Sequence, residues 1–190
     1  RVKEDFEEEA STIEASSEDT GVAVLRFTSG AIGQITYSDA SPGESSDTDI
    51  IYGGSGSLKL SVSRSGDPVR VTLLGRSDSL GGNDLLNEIP DFRLDAVTSR
   101  IFNLGDRIYR YDISFDESDR KLIAVELQDF HDAVTIGRAP EVSGDVGLNA
   151  VALSYSILES GHLARPVFFD DVRQDQINSY QQEINERMAI

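Results

Sequence analysis

The stretch 52–60, YGGSGSLKL, decides how this chain is read. Gly53, Gly54 and Gly56 crowd together and Lys59 follows, which at first suggests a phosphate cradle. A dinucleotide-binding loop needs a strand, then glycines, then a helix whose N-terminus faces the phosphates. Here Leu58, Leu60 and Val62 alternate with Lys59, Ser61 and Ser63, the period of a half-exposed strand. The spacing Gly54-x-Gly56-x-x-Lys59 breaks the G-x-G-x-x-G rule, and no Gly-Lys-Ser/Thr triplet is present. The glycines are therefore expected to turn a hairpin rather than hold a nucleotide.

The surrounding sequence continues this β pattern. GVAVLRFTSGAIGQITYSD, residues 21–39, holds two β-branched runs on either side of Thr28-Ser29-Gly30. Gly30 can take the positive φ of a tight turn. Alternation puts Val22 and Val24 on one face, with Ala23, Leu25 and Phe27 on the other. On the return run Ile35 and Tyr37 share one face, and Gln34 and Thr36 the opposite one. STIEASS, within residues 1–20, suggests a short strand. ASPGESSD, residues 40–47, reads as a loop, and DIIYGG and VRVTLLG as strands. Residues 76–105 show no clear pattern beyond a loop at SDSLGGND and a short helical or irregular DAVTSRIFNLGD. DRIYRYDISF, residues 106–115, alternates as a strand would.

After that the period changes. Ile123, Leu127, Phe130 and Val134 recur at helical spacing between Asp119 and Ile136, with Gly137 and Pro140 as stop signals. A second helix follows Ser143 or Asp145. Ala150, Val151, Leu153, Ile157 and Leu158 make it apolar on most sides, so it is expected to be buried, ending near Gly161. Residues 169–188 read as a polar terminal helix. Strands first and helices later imply an α+β class: an open, mostly antiparallel sheet with helices packed on one face. Residues 1–190 are read as one domain.

Composition narrows the function classes. The net charge is −17, from 34 Asp and Glu against 17 Lys and Arg, and only Lys3, Lys59 and Lys121 are lysines. Such a surface repels nucleic acid and anionic lipid, so neither is expected as a partner. The acid is dispersed from Glu4 to Glu186, which fits adaptation to high salt. Molar KCl shortens electrostatic range to about 3 Å. Thermal stability should then rise between low and molar KCl, and a flat response would rule the adaptation out. No cysteine is present, which excludes thiolate metal sites and disulfides and permits a reducing compartment. No run of about 18 apolar residues and no export leader are seen, so a cytoplasmic location is expected.

Candidate chemistry is sparse. His131 lies near Asp129 and Asp132 on a helix, but a solvated acidic face explains them without a metal. His162 follows a helix end, where a charged imidazole would favour the dipole. The pairs Asp170-Asp171 and Glu117-Asp119 are ordinary in so acidic a chain. GESS and GSGS read as turns, with no G-x-S-x-G elbow. Tyr37, Tyr52, Tyr109 and Tyr111 fit half-buried strand positions. No residue of this chain is expected to be catalytic, cofactor-binding or metal-ligating.

Two ordered stretches resemble a known family. EDTGVAVLRFTSGAIGQITYS, continuing into IIYGGSGSLKL, is similar to a hairpin and strand pair of the glucose–fructose oxidoreductase and inositol dehydrogenase (Gfo/Idh/MocA) family. VELQDFHDAVTIGRAPEVSGDVGLNAVALSYSILESGHLARPV resembles its later helical region. The matches include Glu126, Phe130, Gly137, Pro140, Gly147, Ala152, Glu159, Ser160, Arg165 and Val167. Together the stretches cover about half of the chain.

The resemblance implies the C-terminal domain of an NAD(P)-dependent oxidoreductase acting on a sugar, polyol or related hydroxy compound. NAD or NADP would be bound mainly by an N-terminal Rossmann domain outside this sequence. This part would wall the substrate pocket and form a dimer or tetramer through its open sheet face. The family's E-K-P and D-x-x-x-H motifs are absent here, so this chain alone is expected to be inactive. A non-catalytic binding or oligomerisation module with the same fold is the alternative expectation.

Overall fold

In the computed structural model, residues 18–40, 43 and 47–188 are described. The suggested strand STIEASS and much of the 40–47 loop lie outside them. The chain divides into two compact units, residues 1–44 and 45–190. Its class is α+β, as expected, but the strands fall into two separate antiparallel sheets rather than one.

Among the described residues the first unit contains a hairpin of β1 (Thr20–Arg26) and β2 (Ile32–Ser38). Its turn closes with Gly30 N–H donating to Phe27 O at 2.9 Å and Phe27 N–H to Ala31 O at 3.0 Å. Gly30 has φ 89°, the backbone that selects glycine there. The register pairs Val22 with Thr36 and Val24 with Gln34, so these four share one face, which is exposed. Ala23 and Leu25 lie opposite Ile35 and Gly33 on the half-buried face. The alternation read from sequence is thus the alternation observed.

The second unit holds a four-stranded sheet in sequential order: β3 (Ile50–Gly53), β4 (Gly56–Lys59), β5 (Arg70–Leu73) and β6 (Leu80–Gly81). The fourth strand is only two residues long. It feeds directly into α1 (Gly82–Glu88), which lies against β5 and β6 and buries Leu86 beside the buried Leu80. Neither β6 nor α1 was legible in residues 76–105. The pattern expected to carry β4 through Arg64 stops at Lys59. Beyond it Ser61 Oγ donates to Asp67 O at 2.5 Å, and Arg64 turns to φ 65°.

Five more helices follow among the described residues, with α3 the longest. α2 (Ala96–Phe102) is capped by Asp95, whose Oδ1 accepts from the N–H groups of Val97 and Thr98, each at 2.9 Å. α3 (Phe115–Ile136) starts four residues earlier than the apolar spacing indicated, because Ser114 caps it through Glu117 N–H. It ends at Gly137 in the left-handed conformation. α4 (Gly144–His162) begins at the Ser143 cap. The single terminal helix expected over 169–188 is broken into α5 (Phe169–Arg173) and α6 (Ser179–Met188), with Asp175 at φ 58° between them.

Residues 106–114, read as a strand, contain none; Phe115 already belongs to α3. The alternation there serves different contacts. Tyr111 N–H donates to Gly66 O, its hydroxyl lies 3.1 Å from Ser118 Oγ, and its ring tilts against Phe102 at 5.6 Å. Single anchors of this kind fix an irregular segment without a ladder.

Which faces are buried is the main departure from the sequence pattern. On α3 the buried residues are Ser118 and Ala133. The apolar seam stays in solvent, with Leu127 64%, Phe130 62% and Val134 69% exposed. On α4 the buried seam is Ala152, Ser156 and Glu159, while Val146, Leu148 and Val151 are exposed. Small side chains let helices approach closely: α2 lies against α3, and α5 and α6 lie against α4. Of the bulky residues expected to be buried on α4, Val151 is left exposed, while Leu153, Ile157 and Leu158 are half-buried.

Candidate functional site

The glycine cluster resolves as a turn. Gly53 pairs with Gly56, and the two-residue link Gly54-Ser55 returns the chain into β4. No helix follows. Gly56 has φ 151°, and a Cβ there would collide with the Thr72 carbonyl oxygen of β5. Its glycine character thus serves close strand approach. Lys59 lies opposite Ile50 and Arg70 in the sheet register. The loop leads into β4 and not into a helix, so the helix end that a dinucleotide-binding loop aims at its phosphates is not formed here.

The other sequence candidates are scattered. Tyr37 lies across from Gly21, and its ring fills the space a Cβ would take there. Tyr52 is exposed, and Tyr109 packs over Gly82. His131 Nδ1 is 3.2 Å from Asp132 Oδ1 at the surface. Asp129 has other partners: it accepts from Arg138 at 2.5 Å and from Glu141 N–H at 2.8 Å, tying the end of α3 to the following loop. The Glu141 N–H, then Arg138, hold the Asp129 carboxyl below its ordinary value. Among the described residues no three His, Asp or Glu gather as a metal site. Glu117 pairs with Lys121 at 3.5 Å, and Asp119 with Arg64 at 3.1 Å, so both are structural.

The most site-like feature is a cavity of about 320 Å³ between α4, α5 and α6. Leu148, Val151, Val172 and Ile177 supply its apolar wall. Glu159 and Gln181 also line it. Glu159 is 1% exposed, and its Oε1 accepts from Tyr180 N–H at 2.9 Å. Its Oε2 and Gln181 Oε1 are buried with no hydrogen-bond donor among the described residues. Tyr180 is flanked edge-on by Tyr155 at 6.4 Å and His162 at 6.2 Å.

Sequence reading noted Glu159 only as a resemblance match and passed over Gln181. The signal was present: Ala152, Ser156 and Glu159 follow one another at spacings of four and three, marking one helix face. It was obscured because that face is small and polar, while the bulkier apolar residues lie elsewhere. Ser160 and Arg165, two more matches, close the end of α4. Ser160 Oγ donates to Arg165 O at 2.8 Å, and Arg165 N–H to Ser160 O at 3.2 Å.

Among the described residues no helix is long and apolar enough to cross a membrane. No family model, curated protein or solved structure matches this chain.

Proposed function

We propose that this chain is the substrate-side and subunit-contact portion of an NAD(P)-dependent oxidoreductase acting on a sugar, polyol or related hydroxy compound. The cofactor would be held mainly by a domain outside this sequence, and the assembled enzyme would work in the cytoplasm as a homodimer or homotetramer. One observation carries the reading. The seam Ile123, Leu127, Phe130 and Val134 is exposed on α3, and its last three residues fall within the stretch that carries the second half of the family resemblance. A contiguous exposed apolar stripe is characteristic of a surface that another domain or subunit covers. The exposed hairpin face, with Val22, Val24 and Ile32, supports the same reading.

That hairpin face favours equally a second reading, a non-catalytic assembly module with this fold. The reading frame upstream of Arg1 separates them. A strand–G-x-G-x-x-G–helix unit and an E-K-P triplet support the oxidoreductase; their absence supports the module. For the chain by itself, fluorescence titration with NADH and NADPH should show no tight binding. Micromolar affinity would overturn the division of labour proposed here.

A further inference from the structure

We infer that the cavity between α4, α5 and α6 is a binding site for a small organic cation, an ammonium group on an apolar body. The argument starts from Glu159. A carboxylate with 1% exposure that keeps one oxygen without a donor is costly, because a buried charge needs a partner. The arginine that lines the cavity, Arg173, is directed to other partners. Arg173 donates through Nε to Asn149 Oδ1 at 2.7 Å and through Nη2 to Asp145 Oδ1 at 3.4 Å. Gln181 gives one of its two amide N–H groups to Asn185 Oδ1 at 3.1 Å, and its Oε1 has no donor.

The residues lining the cavity therefore hold two buried acceptors without donors, one of them on a carboxyl group. An ammonium supplies up to three donors and the missing positive charge. An anion is disfavoured by Glu159, and a neutral alcohol satisfies an acceptor without compensating the charge. The apolar residues of the wall select a hydrocarbon body over a bare ion, and the volume suits a molecule of modest size. The dispersed acidic surface would raise the local concentration of such a cation before it enters. This inference does not depend on the oxidoreductase reading, since the cavity lies wholly within the helices of the second unit.

The test is calorimetric titration of the whole chain with phenethylamine and with its neutral counterpart, phenethyl alcohol. Molar KCl reduces adventitious attraction to the acidic surface, because screening there acts beyond about 3 Å. Saturable one-to-one binding of the amine, at least about tenfold tighter than the alcohol, is expected. Glu159→Gln keeps an acceptor for Tyr180 N–H and should abolish that preference. Equal binding of amine and alcohol, absence of saturation, or an unchanged preference in Glu159→Gln would each refute the site. If far-UV circular dichroism shows that this variant does not fold, Val151→Trp decides. Val151 is an exposed rim residue, and a bulky ring there should block the amine. Unaltered binding in that variant would also refute the site.

Discussion

Glu159 and Tyr180 are joined across 21 residues of sequence: the buried carboxylate of α4 accepts the backbone N–H of α6 at 2.9 Å. α6 is short and mostly polar, and its entry segment follows a broken turn at Asp175. Ten-residue helices are marginal on their own, so attachment must come from tertiary contacts. One charge-assisted bond at the start of the helix is a large part of that attachment.

Removing the acceptor should loosen α6 first. Glu159→Ala removes the acceptor of Tyr180 N–H in a half-buried position and should cost about 2 kcal/mol. Hydrogen exchange at the Tyr180 amide should accelerate well beyond that of the α3 amides. Uniform acceleration across the second unit would mean that Glu159 supports the whole unit and not α6 in particular.

The glycine loop gives a paired prediction. Gly56→Ala should destabilise by about 2 kcal/mol or more, because the new Cβ meets the Thr72 carbonyl at a φ that disfavours side chains. Gly54→Ala, two residues earlier, meets nothing within 4 Å and should be close to neutral. Thermal melts of the two variants check this directly. Similar losses in both would show that turn flexibility, not strand approach, is what these glycines supply.

The contrast between local and long-range structure explains what the sequence revealed. The β1–β2 hairpin, the Gly137 stop and the Ser143 cap depend on a few neighbouring residues, and all were legible. The α1 helix was not, since it starts at Gly82, with Gly81 in the cap position and no side-chain cap bond. The strand pattern over 106–114 misled because Tyr111 is fixed by Gly66, 45 positions away, through one backbone bond instead of a ladder. The burial of Glu159 was not legible because it depends on α5 and α6 folding back over α4. No local periodicity encodes that. The seam on α3 was read correctly as a stripe, but which way it faces is a question of partners.

Asp129 should shape the acid limit of stability. Its folded pKa lies below the ordinary 3.8, so the stabilisation is fully present above that value. It is lost as the pH falls from about 3.8 towards the lower folded value, where the unfolded chain takes up the proton first. Asp129→Asn removes the charge held by Glu141 N–H and Arg138. The variant should be less stable than wild type at neutral pH, and the difference should narrow as pH drops through that window. Urea midpoints measured from pH 7 to pH 2 test the sign. A gap that widens on acidification would contradict the ion-pair role.

The exposed seam on α3 distinguishes a surface from a core. Leu127 and Phe130 are each more than 60% exposed, so truncating them should cost this chain little. Leu127→Ser and Phe130→Ser should shift the unfolding free energy by less than about 0.5 kcal/mol, against about 3 kcal/mol or more for a buried leucine or phenylalanine. If the seam is covered by another subunit or domain, the same changes should instead shift the mass measured by light scattering towards the monomer, or release the covering domain in the longer protein. A large loss of stability in the isolated chain would place Phe130 in its core. Unchanged mass and stability together would leave the stripe without the contact role proposed for it.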